Sequence, residues 1–304
     1  MRRKVLQTLF AGHLNKESSK KELERDLNTN VDDLLKLYLA QLFTIIKVSE
    51  YALIHSAKKA DLLKKQSKHT EIVKNSIIIF LQENIQLQDA FDKYEIEDLF
   101  QDEDIFRQLF LQWTNTNCFL SYCDLSDRDL QNDKDVIHEL VSSIFLKNNA
   151  LHAELDESLM NVSDDIHLVM YTLETELKDF DGSVDIFTPK VISWNAEKDF
   201  AEDLFEKTLD NREDLMSLID DKLKNWDLDR VAQMDIILMQ MAIAELIYFD
   251  TIPVKVSINE YIDLSKQFST PKSKEFINGI LDTIMNDLKK AGRINKIGRG
   301  LVEK

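Results

Sequence analysis

The sequence is poor in the residues that build turns. Six glycines and three prolines among 304 residues make about 3% of the chain, where the two together usually supply roughly 12%. Sandwiches, barrels and βα-loop enzymes need frequent turn chemistry, so the shortage excludes them and leaves a chain that is mostly helix. So few glycines also leave no phosphate-cradling loop: no G-x-G-x-x-G, Walker pattern or G-x-S-x-G occurs. The only cysteines, Cys118 and Cys123, stand five positions apart. On a helix they point in different directions, and no further thiol completes a zinc set, so both are expected to be reduced bystanders. The six histidines form no H-E-x-x-H pair and none follows a Glu at the spacing of a di-iron bundle; Asp164 with His167 reads as a helix surface. Carboxylate pairs carry no information in a chain with 55 acidic residues. No catalytic residue, metal or cofactor is therefore expected. Long apolar runs are missing too. The most apolar stretch, 231–249, is interrupted by Gln233, Asp235, Gln240 and Glu245, which are costly in lipid, so it reads as a buried helix and not a membrane span. Arg2, Arg3 and Lys4 precede only a short apolar run without a cleavage site, which fits no secretory signal and favours a cytoplasmic location.

What is present is a globular balance, 44% hydrophobic and 31% charged, with a formal charge of −17. The charge is unevenly spread. Residues 1–25 hold 7 Lys/Arg against 3 Asp/Glu and residues 255–304 hold 10 against 6, so each end is +4 and the middle is −25. The mean field repels polyanions, while two basic segments can meet phosphate if folding unites them. On charge alone the reading as solvated ends is the favoured one, because terminal Lys and Arg are common and unspecific.

Helical periodicity begins at once. Val5, Leu6, Leu9 and Phe10 share a face, predicting a helix over 2–14, and 15–21 breaks the pattern. A long stripe follows through Leu34, Leu35, Tyr38, Leu39, Leu42, Phe43, Ile46, Tyr51, Leu53, Ile54 and Leu62. The run 77–81 is too short to assign from its pattern, and 95–104 reads as an acidic loop or helix start. Asn211 with Asp214 suggests an N-cap, Asp229 opens the apolar helix, and Pro253 interrupts it. Thr270-Pro271 predicts the start of the last helix and Gly292 its end. An offset of 64 lays 134–173 on 198–237 with nine identities in forty, and a shorter copy spans 104–120, suggesting degenerate helix hairpins.

The most specific pattern is the order Glu245-Leu246, Ile252-Pro253, Lys255-Val256, Ile258-Asn259-Glu260, Ser273 and Phe276-Ile277-Asn278-Gly279-Ile280-Leu281-Asp282, joined to the opening RRKVLQTLF. It resembles the transcription antitermination factor NusB family, over roughly 196–290 and a dozen residues at the start. The resemblance implies an all-α fold of NusB-like helical bundles without enzymatic activity. Beside it, the length implies an additional helical domain inserted after the first helix: 1–15 the first helix of the core, 16–190 an acidic helical insert, 191–291 the C-terminal core, 292–304 a basic tail. The family binds the boxA element of ribosomal RNA transcripts together with NusE, the small-subunit ribosomal protein uS-ten, in the RNA polymerase antitermination complex, without a membrane. Carried over by motif, its RNA surface falls on Arg2, Arg3, Lys4, Gln7, Lys272, Lys274 and Phe276, and its NusE contact on Asp235. Lys and Arg at helix starts suit phosphates, and Gln7 or an exposed aromatic suits an unpaired base. The alternatives for Phe276 and Asp235 are ordinary helix positions, and Asn278-Gly279 reads as a site of close helix packing. Rival functions are a helical scaffold binding only proteins and the RNA-binding part of a ribosomal RNA methyltransferase system. The insert's acidity predicts that it does not itself touch RNA.

Overall fold

The computed structural model describes residues 1–63, 68–183, 187, 189–223 and 231–301, except the side chains of 58–63, 189–192 and 299–300. Among these residues every regular element is helical, as the scarcity of turn residues requires. The chain divides into two compact units, one of Met1–Val31 with Asn195–Lys304 and one of Asp32–Trp194. The dividing points fall inside helix α2 (Lys20–Leu63) and helix α10 (Pro189–Asp210). The first turns of α2, with Leu23, Leu27 and Val31 buried, thus belong to the unit that contains the N-terminus, although the sequence suggests an edge at residue 16.

In that first unit the centre is helix α12 (Gln233–Tyr248), in which every residue from Ile237 to Leu246 is buried. A helix apolar on all sides must be surrounded. Around it pack α1 (Arg2–Leu14), α11 (Arg212–Asp220), α13 (Val254–Phe268) and α14 (Ser273–Lys290). Pro253 ends the interruption by standing at the N-cap of α13, where a missing amide donor costs nothing. Ile277, Leu281, Ile284 and Leu288 form the buried stripe of α14. Its end is a Schellman motif: Gly292 adopts φ +65°, its N–H bonds to Lys289 O, and the Arg293 N–H bonds to Leu288 O.

Several sequence expectations need correction here. α14 starts at Ser273 rather than at Pro271, because 270–273 first form a turn in which the Ser273 N–H bonds to Thr270 O at 2.9 Å. Asn211 does occupy the N-cap of α11, but its side chain donates backward to Lys207 O and caps nothing. Gly279 is exposed, and a Cβ there would meet nothing within 4 Å, so no close packing depends on it. Asp229 lies outside the described residues.

The second unit takes α2 from Asp32 onward, then α3 (Ser76–Glu83), α4 (Ile85–Lys93), α5 (Asp104–Trp113), α6 (Asn117–Asp124), α7 (Leu130–Glu139), a π-turn Leu140–Phe145, α8 (Asn149–Asp156) and α9 (Val162–Asp179). The stripe of α2 is buried from Leu35 to Ala52, but Leu53 and Ile54 are about half exposed, and the side chain of Leu62 is outside the described set. The run 77–81 is helix α3, capped by Asn75, which accepts from the Ile77 and Ile78 amides. Phe43 packs with Phe91, Phe100 and Phe106 at ring separations of 5.5–6.4 Å. Residues Lys20–Ala57 are long and apolar enough to cross a membrane by length and composition, but 72% of an 18-residue apolar window within them is buried inside the fold, as in a core helix.

Candidate nucleic-acid interface

Helix α1 supplies most of the expected cations, and its packing sorts them. The Arg2 guanidinium makes a bidentate pair with Glu245 of α12, at 2.7 and 2.8 Å. That carboxylate is 0% exposed and also accepts from Ser257 Oγ at 2.7 Å and Tyr261 Oη at 2.9 Å. Burial opposes the charge on Arg2, yet the hydrogen bonds and charge of Glu245 outweigh it and raise its pKa overall. Burial, then Glu245, likewise pushes the Tyr261 phenol well up. The guanidinium also lies 5.1 Å from the centre of the Phe200 ring. Arg2 therefore ties α1 to α12 and α13. The family resemblance gives it an RNA contact, but the ion pair occupies its fork.

Lys4 departs further from that expectation. It is 1% exposed, with Nζ donating to Asn30 Oδ1 of α2 at 2.7 Å. Position 4 shares the inner face of α1 with Val5 and Thr8, so its ammonium points into the unit. Gln7 is half-buried and accepts from Asn30 Nδ2 at 3.4 Å, so Asn30 links the two.

Arg3 lies on the outer side. Its Nη2 donates to Gln267 Oε1 at 2.9 Å and its guanidinium stands 5.5 Å from the Phe268 ring centre. Gln267 and Phe268 close α13, directly before the turn 269–272. The first helix is thereby brought to the approach of the last one. Lys272 at the N-cap of α14 and Lys274 in its first turn are both exposed, with Lys274 Nζ 3.2 Å from Glu275. That ammonium lowers the Glu275 pKa. Phe276 is half-buried.

Asp235 is not at a protein-facing surface. It is 5% exposed and accepts from Ser269 Oγ at 2.5 Å and Ser273 Oγ at 2.8 Å. Thr270 Oγ1 adds a contact to Ser273 Oγ at 2.8 Å. A carboxylate in the first turn of α12 thus pins both ends of the turn that carries Lys272. Its expected role as a contact for NusE does not fit this burial; its role here is to position the turn. In the basic tail, Arg293 pairs with Asp214 at 2.7 Å, and Lys296 Nζ donates to Phe249 O at 2.7 Å, closing the C-terminus of α12. Burial lowers the Lys296 pKa.

Sequence reasoning missed Gln267 and Phe268 as partners of Arg3, since 264 positions separate Arg3 from Gln267 and nothing local marks them. Among the described residues no group of three or more His, Cys, Asp or Glu could hold a metal ion.

Comparison with known proteins adds a family. Residues 187–286 match the family model described as "NusB family". The chain is 45% identical over 105 residues to "Transcription antitermination protein NusB" of Salinibacter ruber, covering 34% of this chain and 66% of that protein. Proteins of the same name from Chloroherpeton thalassium and Natranaerobius thermophilus are 40% identical over 136 and 92 residues, covering 44% and 30% of this chain. The matches span a little under two thirds of these relatives' own length, at 66%, 64% and 66%. No solved structure matches the chain.

Proposed function

We propose that this chain, whose residues 187–286 match the model described as "NusB family", is a non-enzymatic, cytoplasmic transcription antitermination factor that works by binding RNA. Its RNA is the single-stranded boxA element of ribosomal RNA transcripts, taken up together with NusE within the RNA polymerase antitermination complex. The observation that carries this reading is the contact of Arg3 with Gln267 and Phe268, which leads from the opening helix to the turn before Lys272 and Lys274. Three cations in packed or successive elements of an otherwise acidic chain, Arg3, Lys272 and Lys274, suit a short stretch of phosphates. Gln7 and Phe276, both half-buried, stand in the same elements as candidates for a splayed base. Arg2, Lys4 and Asp235 act indirectly, by holding α1 and the 269–272 turn. The acidic Asp32–Trp194 unit stays off the RNA.

A gel shift with boxA RNA, with and without NusE, tests the reading. Binding is expected for the intact chain, to be strengthened by NusE, and to weaken in Arg3→Ala and in Lys274→Ala. Unchanged affinity in both variants removes this face as the RNA site.

A further inference from the structure

The unit that contains the N-terminus holds a cavity of about 470 Å³, opened by the end of α1, the start of α2, the junction of α10 with α11, and α12. The volume is that of a small-molecule site, roughly 300–1,000 Å³. Among the described residues, its lining includes the basic side chains His13, Lys16, Lys20 and Arg212 and no carboxylate, in a chain of net charge −17. Lys20 also pairs with Asp210 at 2.6 Å and with Glu24 at 3.9 Å, so its charge is shared with carboxylates outside the lining. A solvated face of so acidic a protein interleaves both signs, whereas a concave surface lined by one sign concentrates the opposite ion.

Behind the basic mouth the wall is apolar, with Leu23 and Ile237 in it. Gly12 lets α1 approach α2 there: a Cβ at that position would stand 2.7 Å from Leu23 Cδ1. A second, independent feature is Gln240. It also lines the cavity, is 4% exposed, and its Nε2 has Met216 Sδ at 3.8 Å as hydrogen-bond partner. A thioether is a weak acceptor, so Nε2 is only weakly satisfied by the protein itself.

We propose that this cavity binds a phosphate ester with a flat, partly apolar body, of mononucleotide size. Lys16 and Arg212 take the phosphate, where a guanidinium fork and an ammonium match its oxygens. The Leu23 and Ile237 wall takes the body, and the Gln240 amide pairs with its polar edge. The site uses none of the residues of the Arg3 and Lys272 face and stands whether or not that face binds RNA.

Calorimetric titration of the full chain with AMP, adenosine and inorganic phosphate tests it. Arg212→Ala and Lys16→Ala alter exposed side chains, and Gln240→Leu conserves volume in an apolar helix, so circular dichroism should show all three folded. AMP should bind at least about tenfold more tightly than adenosine or phosphate alone, because both parts of the site are engaged. Arg212→Ala and Lys16→Ala should each weaken AMP several-fold, and Gln240→Leu should weaken AMP and adenosine while leaving phosphate unchanged. A uridylate oligonucleotide that displaces AMP identifies an RNA nucleotide as the natural occupant, and failure to displace identifies a free one; both keep the site. Absence of saturable AMP binding, phosphate binding as tightly as AMP, or AMP affinity unchanged in both Arg212→Ala and Gln240→Leu overturns the proposal.

Discussion

The guanidinium of Arg2 is held by a fully enclosed carboxylate, whereas that of Arg3, one position later, rests on Gln267 and Phe268 at the edge of α13. Their substitutions should separate. Arg2→Ala strands Glu245 without its counter-charge, a loss of roughly 3–5 kcal/mol, seen as a large drop in the urea midpoint. Arg3→Ala gives up an exposed hydrogen bond to Gln267 and should cost about 0.5 kcal/mol or less, while reducing RNA affinity. Equal losses of stability would contradict this division. The thiols give a second residue-level test. Burial pushes Cys118 up to about 11 and Cys123 up to about 12, and the thiolate is the reactive form. Alkylation by iodoacetamide at pH 8 should therefore be slow in the folded chain, rise only as pH climbs toward those values, and become fast on unfolding in urea. Rapid native labelling of Cys123, followed by mass spectrometry, is the contrary result.

Among the elements, the turn between α13 and α14 is tied to α12 by one side chain. Asp235 receives both Ser269 and Ser273, and hydrogen bonds to a charged group contribute roughly 1.5–3 kcal/mol. Asp235→Ala should lower stability by about that amount and weaken RNA binding by releasing Lys272 and Lys274 from their places. Lys274→Ala should weaken RNA binding with the melting temperature unchanged. Paired thermal melts and RNA titrations read both; an Asp235→Ala chain that melts lower but binds RNA normally would show that the turn's order is immaterial to binding. The same turn explains why Thr270-Pro271 misleads as a helix start: its residues fit the pattern of a first turn, but the Ser273 N–H bonds to Thr270 O and closes a separate turn before the helix.

For the whole molecule, the decisive quantity is how few cations the proposed RNA face sets against a charge of −17. Three phosphate contacts, by Arg3, Lys272 and Lys274, correspond to a slope of log affinity against log salt of about −2 for a single strand. A much steeper slope would mean that further cations, including those of the acidic unit's surface, take part. A slope near zero would mean that phosphates are not met at all.

Composition and periodicity by themselves determined the all-helical class, the central apolar helix, the Pro253 interruption and the Gly292 end, because each follows from local backbone chemistry. The ordered motifs from Glu245 to Asp282 carried the resemblance to the NusB family for the same reason, being contiguous in the chain. Which basic residue of α1 faces outward was decided by tertiary structure alone. Arg2, Arg3 and Lys4 are alike in sequence, but Glu245, Gln267 and Asn30, each remote along the chain, assign them to an ion pair, an edge and an interior. The burial of Asp235 and the cationic cavity around Arg212 have the same origin: charge and exposure depend on neighbours that folding supplies, and no spacing along the chain encodes them.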